Sequence, residues 1–408
     1  MKKRLISIVL GISLALSIAG CGNGGDKKET EAKKETEAGA SEKEETKTEQ
    51  EETKKSEAGD AEPYYVAYAT PLTGDYANQG EEGYNALMMA VEEFNSAGGY
   101  EGHTIEVERF DDKNDPTEAA NIAQQIVSDK KYIAAIGSFA SGATMAGAPI
   151  YDGNMVQFSP SASSMAIPDA GSWTWMFCPD AGSQYRSWAK IACEELGAKT
   201  IGMIVIDGDN GKIILDTVTE AAPEFGGEVI ASDKFISGQT RDFTSLLQKV
   251  NKDNPDVIGI FCSYADSSAM IMQARDLGIE TKLFLSPDSY NQYLLDALGD
   301  TDTTDVYVAS MITPDTTDEN VKKFTTDFYE KNGYYPSLMG SGSYECGNMI
   351  IRIIEAGATD RQSFHDTLAG YSSTEGKIFD DQIDSNRKVQ REAFFISEIV
   401  DGAYRCIN

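Results

Sequence analysis

Residues 63–408 predict an α/β fold of two similar lobes, each a parallel sheet covered on both faces by helices, and three observations lead there. Short β-rich runs alternate with amphipathic helical stretches over most of the segment, the pattern of strands joined by crossover helices. Its 346 residues exceed what one ordinary core organises. The strand candidates also fall into two successive series, with further elements left over at the C-terminal end.

The residues before this segment are of another kind. Lys2, Lys3 and Arg4 precede an apolar run from Leu5 to Ile18, and small residues follow, so residues 1–20 read as an export signal rather than as part of the fold. The run falls short of the ~18 apolar residues of a spanning helix. Its end, Ile18-Ala19-Gly20-Cys21, has the form of a lipoprotein cleavage site, which makes Cys21 the expected new N-terminus and the lipid attachment point. A plain secretory signal with an incidental cysteine is the alternative. Acyl chains contribute about 0.8 kcal/mol per buried CH₂, enough for two or three of them to anchor the protein on the outer face of a membrane without spanning it.

Residues 21–62 follow Cys21 with almost nothing but Glu, Lys, Thr, Ala, Ser and Gly, and are expected to form a disordered acidic tether. The formal net charge is -31; the signal holds three bases and the tether eight bases against fourteen acids, so -28 of it falls on residues 63–408. A surplus of this size repels nucleic acid and anionic membrane surfaces. Besides Cys21 there are five cysteines, Cys178, Cys193, Cys262, Cys346 and Cys406, with no C-x-x-C pair. The odd number disfavours a dense disulfide framework or a zinc ribbon, although one bridge, such as Cys178 with Cys193, stays open.

The first series has strands at Tyr64 to Ala69, Thr104 to Phe110, Tyr132 to Ile136 and Met155 to Phe158, with helices at Glu81 to Ser96 and Pro116 to Asp129. In the helix from Glu81, Ala86, Met89, Ala90, Val91 and Phe94 recur at helical spacing and Gly98-Gly99 supplies the stop. The second series has strands at Ile201 to Ile206, Glu228 to Phe235, Asp256 to Phe261 and Lys282 to Leu285. Its helices are expected at Ser183 to Leu196, Lys212 to Phe225, Asp242 to Lys252 and Ser267 to Leu277. A strand at Val306 to Met311 and helices at Asp318 to Lys331 and Ser343 to Glu355 remain, which implies that the chain recrosses between lobes.

Several short stretches then resemble the leucine/isoleucine/valine-binding protein family, in the right order along the chain. They are Pro71-Leu72-Thr73-Gly74, Asp111-Asp112 with Asp115-Pro116, Ile136-Gly137, Ser159-Pro160-Ser161-Ala162-Ser163, Asn254-Pro255-Asp256-Val257 and Gln273-Ala274-Arg275-Asp276-Leu277-Gly278. The resemblance implies the type I periplasmic-binding-protein fold: two Rossmann-like lobes joined by three crossing strands, here expected near Cys178, Met311 and Lys388. Lobe 1 would be 63–178 plus 312–388, and lobe 2 would be 179–311 plus 389–408.

It also implies a function and a site. The family captures an amino acid or amino-acid-like zwitterion by hinge closure and delivers it to the permease of an ABC importer, as a monomer and without a cofactor. Ser141, Ser161, Ala162 and Ser163 match the residues that hold the ligand's α-carboxylate and α-ammonium from the first lobe, and Asp288 matches the acid that pairs with the ammonium from the second. By residue type alone Ser141 and Ser163 read first as helix caps, and it is the resemblance that reverses this. Where aromatic side chains surround an aliphatic ligand in well-known members, this sequence has Gln79, Asn210 and Ser263, with Tyr264 beside the last and Phe139 at the side-chain end. Tyr76, Tyr185 and Tyr290 are candidates for a replacement aromatic wall. The family's disulfide is absent, because its positions are Asn114 and Ala140.

Catalysis is not expected. The two histidines, His103 and His365, stand apart from any G-x-S-x-G, H-E-x-x-H or C-x-x-C motif. Asp207-Gly208-Asp209-Asn210-Gly211-Lys212 lacks the twelfth-position acid of a calcium loop and the spacing of a phosphate loop, so no metal is expected either. A binding module that presents its solute to a separate membrane sensor is the remaining alternative.

Overall fold

The β-branched and aromatic runs of the first series form strands that alternate side chains between two helical layers. The structure, a computed structural model, describes residues 61–408 other than Asp75, Glu392 and Ala393; the signal, Cys21 and the tether through Asp60 lie outside the described residues. In chain order the elements of the first lobe are β1 (Tyr64–Thr70), α1 (Ala77–Ser96), β2 (Ile105–Asp111), α2 (Pro116–Ser128), β3 (Tyr132–Ile136), α3 (Ser141–Tyr151), β4 (Val156–Ser159), α4 (Ile167–Ala170) and β5 (Thr174–Met176). The second lobe follows with α5 (Ala181–Glu194), β6 (Thr200–Ile206), α6 (Asp209–Ala221), β7 (Glu228–Phe235), α7 (Thr244–Val250), β8 (Val257–Phe261), α8 (Tyr264–Asp276), β9 (Lys282–Leu285), α9 (Gln292–Leu298) and β10 (Val306–Ser310). The chain then returns through α10 (Glu319–Asn332), α11 (Leu338–Glu355), α12 (Arg361–Ala369), β11 (Gln382–Ile383) and β12 (Val389–Gln390), and ends in a hairpin of β13 (Phe395–Val400) and β14 (Ala403–Cys406).

The first sheet has the order β2-β1-β3-β4-β5 and is parallel throughout. The second repeats the pattern as β7-β6-β8-β9-β10, with β13 and β14 added antiparallel beyond β10. Successive strand residues serve opposite faces. In the first lobe Val66, Tyr68, Ile136 and Phe158 pack against Leu87, Val91, Ile350 and Ile354, while Ala67, Ala69 and Ala135 pack against Ile122, Ile126 and Tyr151. In the second, Met203, Val205, Phe261 and Phe284 face Trp188 and Val218, and Ile204, Ile258, Ile260 and Leu285 face Leu247, Met270 and Ile271.

The chain leaves the first sheet at the carboxyl end of β5 and enters the second lobe at the amino end of α5, the helix that leads back to the start of β6. It leaves the second sheet at the carboxyl end of β10 to reach α10, and crosses a third time between β12 and β13. These connections set the carboxyl edges of the two sheets facing each other. Direct contacts agree: Ala181 N–H donates to the Ser163 carbonyl at 2.7 Å, and Leu338 at the head of α11 packs on the second-lobe cluster around Tyr185 and Met311.

Three of the departures from the sequence reading have a tertiary reason. Helix α1 starts at Ala77 rather than Glu81, because Gly80 belongs to the helix and lets it press on β1's exit: a Cβ there would stand 1.8 Å from the Pro71 carbonyl oxygen. Helix α11 starts at Leu338 rather than Ser343, because Glu82 of α1 caps it from a distance, accepting from Ser337 N, Ser337 Oγ and Gly340 N at 2.7–2.9 Å. Helix α3 was not expected; its Ala- and Gly-rich sequence with Pro149 shows no apolar stripe, and α2 beside it supplies the packing. Among the described residues no helix is long and apolar enough to cross a membrane, and the five described cysteines are free thiols.

Candidate functional site

In an open parallel sheet the crevice lies beyond the carboxyl ends of the strands, where the strand order reverses, and both sheets reverse between their first and third strands. Every residue singled out from the sequence follows such a strand end. Gln79 follows β1; Phe139 and Ser141 follow β3; Ser161, Ala162 and Ser163 follow β4. In the facing lobe Asn210 follows β6, Ser263 and Tyr264 follow β8, and Asp288 follows β9.

The first-lobe loops are held closely. Asp111 accepts from Leu72 N at 2.9 Å and Thr73 N at 3.3 Å, fixing the turn after β1. Gly137 has φ +141° and lies so near β1 that a Cβ would meet the Ala69 carbonyl oxygen at 1.9 Å, so the chain there tolerates only glycine. Ser141 is not a helix cap, since Ala140 holds that position; its Oγ accepts from Ser164 N at 3.1 Å, which leaves its proton free to donate to a carboxylate. Ser161 Oγ donates to the Phe139 carbonyl at 2.9 Å, pinning the loops after β3 and β4 together. Ala162 is buried, and its carbonyl receives the Cys178 thiol at 3.4 Å. The Ser163 carbonyl accepts from Ala181 N–H.

The second lobe holds Asp288 with comparable care. It sits in a single 3-10 turn, Pro287–Ser289, tied down by Ser289 Oγ donating to the Cys262 carbonyl at 3.0 Å and lying 2.8 Å from Ser267 Oγ. Trp188 beneath it donates Nε1 to the Leu285 carbonyl at 3.3 Å and stacks on Phe284 with ring centroids 4.5 Å apart. Asp288 is exposed to solvent at the head of this turn. Desolvation raises its pKa to about 6, with the Ser286 hydroxyl pulling weakly the other way. The buried phenol of Tyr185 and thiols of Cys178 and Cys262 lie within range of its charge.

The remaining residues fall into distinct environments. The amide oxygen Oε1 of Gln79 is buried without a hydrogen-bond donor from the described residues. Asn210 is exposed in the first turn of α6. Ser263 precedes α8 and its carbonyl accepts from Ser267 N at 3.0 Å. Tyr76 joins Phe139 at 5.2 Å between ring centroids, and Tyr264 joins Tyr293 at 5.6 Å. Tyr185 is core, and Tyr290 turns away from the crevice to stack on Tyr404 of the terminal hairpin at 4.2 Å, so neither supplies the expected aromatic wall. Glu345 is buried and serves the fold, its carboxylate accepting from Phe379 N at 3.2 Å and Lys377 N at 3.3 Å as well as from Ile378 N. Burial lifts it to about 7 against the pull of those donors.

Glu82 and Tyr293 were not anticipated. Glu82 had a legible signal, an acid one turn before Ala86 on the apolar stripe of α1, where an unpaired charge is costly. Tyr293 had none, because only the packing of α9 beside α8 brings it to Tyr264. No group of His, Cys, Asp and Glu among the described residues is arranged to hold a metal ion.

Hydroxyl-bearing loops thus follow strands of one sheet and an acid follows a strand of the other, with the chain crossing between the two sheets three times. Residues 63–403 match the sequence model of the family described as periplasmic binding protein. The chain belongs to this family. It is similar to an amino acid binding protein of Pseudomonas aeruginosa, 24% identical over 279 residues, which are 66% of this chain and 73% of that one. It is also similar to a leucine-specific-binding protein of Salmonella typhimurium, 26% identical over 236 residues, 57% of this chain and 63% of the relative's length, a little under two thirds. Among solved structures, a branched-chain amino acid transporter substrate-binding protein of Streptococcus pneumoniae in complex with isoleucine superposes with a TM-score of 0.75 at 23% identity, over 85% of this chain and 99% of that one. The fold is therefore the type I periplasmic-binding-protein fold expected from the leucine/isoleucine/valine-binding resemblance. The family consists of extracytoplasmic solute-binding proteins and not of enzymes.

Proposed function

We propose that this protein captures an amino acid or amino-acid-like zwitterion between its lobes and delivers it to the permease of an ABC importer, while Cys21 carries a lipid anchor that keeps it on the outer face of the cell membrane. One observation supports the reading: Ser141 and Ser161 to Ser163 follow β3 and β4 of one sheet, and Asp288 follows β9 of the other. A ligand with a carboxylate and an ammonium on one carbon satisfies both edges only when they approach, so its affinity for the closed arrangement exceeds that for the open one and binding drives closure. The moving bodies are residues 63–178 with 312–388 and residues 179–311 with 389–408. Gln79, Phe139, Asn210, Ser263 and Tyr264 surround the ligand's side chain, and the protein acts as a monomer.

Thermal shift of the full chain against amino acids, their amides, short peptides and unrelated anions tests this, because a ligand selective for the native state raises the melting temperature. At least one amino acid is expected to give a shift, and Asp288→Ala is expected to abolish it. A response only to anions lacking an ammonium would remove the zwitterion from the mechanism.

A further inference from the structure

We infer that Glu82 is a positioning residue for solute capture: from α1 it fixes the head of α11, and through that head the turn that carries Ser161, Ala162 and Ser163; this rests on the amino-acid reading above. The head of α11 has no cap of its own. Ser337 holds the N-cap position, yet its hydroxyl bonds to none of the free N–H groups of the helix. It donates instead to Glu82 Oε1 at 2.7 Å, and the same oxygen accepts from Ser337 N at 2.8 Å and Gly340 N at 2.9 Å. The first N–H groups of a helix are ordinarily met by a local side chain or by water. Here Glu82, Ser337 and Gly340 are all buried, and an acid from another helix takes that place. One oxygen that gathers three donors sets where the head of α11 stands on α1.

The two helices meet closely beside this tie. At Gly83, the next residue of α1, a Cβ would stand 2.7 Å from Ser343 Oγ and 2.8 Å from Met339 Cε. The first turns of α11 in turn touch the solute loop twice. Met339 Sδ lies 3.3 Å from Ser161 Oγ, and a Cβ on Gly342 would stand 2.0 Å from the Pro160 carbonyl oxygen. An interior packed this densely passes a displacement on instead of absorbing it. A head released from Glu82 therefore shifts the turn after β4, and with it Ser161, whose hydroxyl also holds the loop after β3 through the Phe139 carbonyl at 2.9 Å. Leu338, between Ser337 and Met339, packs on the second-lobe cluster, so the same head also bears on the other lobe.

Hydrogen exchange of the full chain without solute separates positioning from mere capping. Glu82→Ala is expected to speed exchange about tenfold or more at residues 337–341 and also at residues 160–164. Glu82→Gln keeps an oxygen for the three donors and is expected to hold both segments within about threefold of the unsubstituted chain. Arg361→Ala serves as the control: Arg361 donates to the Tyr132 carbonyl at 2.8 Å and the Val127 carbonyl at 2.9 Å, at the amino end of β3, so its loss loosens the same lobe away from the loop. It is expected to leave residues 160–164 unchanged. Faster exchange at 337–341 alone in Glu82→Ala, or equal acceleration of 160–164 in both alanine variants, would overturn the inference while amino-acid binding stands. Calorimetric titration with leucine, valine, alanine, glutamine and serine then reads capture. The tightest of these is expected to bind Glu82→Ala about tenfold or more weaker and Arg361→Ala within about twofold of the unsubstituted chain, and equal losses in the two variants would again overturn the inference. Silence of the unsubstituted chain toward all of them would instead sink the amino-acid reading, and the role of Glu82 in capture with it.

Discussion

Desolvation by the protein around it lifts the Asp288 carboxyl to about 6 from an ordinary 3.8, and the consequences for binding and for stability run in opposite directions. The ligand's ammonium needs the ionised form, so affinity is expected to be flat above pH 6 and to fall about tenfold per unit below it, as a proton takes the ammonium's place. Titrations at pH 8, 6 and 5 check this, and a pH-independent affinity would show that Asp288 makes no ion pair with the solute. For stability the raised value means that the folded state holds the proton more tightly than the unfolded one. The favourable contribution is complete below the unfolded value and is lost as pH rises through about 6. Asp288→Asn, which removes binding, is therefore expected to raise the melting temperature at pH 8 and leave it unchanged at pH 3. An equal shift at both would mean that the gain has nothing to do with charge.

At the scale of elements, α11 braces both the ligand loop and the segment that leads to the third crossing. A Cβ on Gly342 would stand 2.0 Å from the Pro160 carbonyl oxygen, so Gly342→Ala must push back the turn that carries Ser161 to Ser163. We expect it to weaken solute binding and to cost about 1–3 kcal/mol in urea unfolding, the usual range for overpacking against backbone. Gly347→Ala on the same helix meets first the Leu87 Cδ1 at 2.8 Å, the end of a flexible side chain, and is expected to spare binding. Three residues past Gly342, Glu345 gathers the backbone N–H groups of Lys377, Ile378 and Phe379. Glu345→Ala leaves those donors without their acceptor and is expected to cost about 2–4 kcal/mol, read as a lower urea midpoint with an unchanged slope.

For the whole molecule, the proposed closure requires the crossings to bend while the lobes stay rigid. Lys388, which bridges to Met176 at the edge of the first sheet, pairs with Asp180 at the head of α5, so one ion pair ties the first and third crossings. Small-angle scattering of the full chain is expected to show a smaller radius of gyration on adding solute, and no change for Asp288→Ala under the same conditions. Contraction in the variant would mean that closure does not depend on the bridge to Asp288. Cys21→Ala is expected to move the protein from the membrane fraction to the soluble one, and retention on membranes would refute the lipid anchor.

Much of this architecture was legible in the residues themselves. Strand positions such as Tyr132 to Ile136 and Lys282 to Leu285 coincide with β3 and β9, because a strand buried on both faces must be a continuous apolar or β-branched run, whatever its neighbours. The stretches that carried the family resemblance turn out to brace backbone. Asp256 accepts from Lys199 N and Thr200 N at 2.8 and 2.9 Å, and Gln273 from Phe243 N at 2.7 Å. Such ties depend on the fold and not on the solute, which is why they reveal the family and say little of the ligand. The tertiary structure alone decided where α1 and α11 begin, that Tyr290 belongs to the terminal hairpin and that Tyr293 belongs beside Tyr264. In each case the deciding partner lies on another element, 255 residues away for Glu82 and Ser337, and no local pattern of polarity or propensity encodes a contact of that separation.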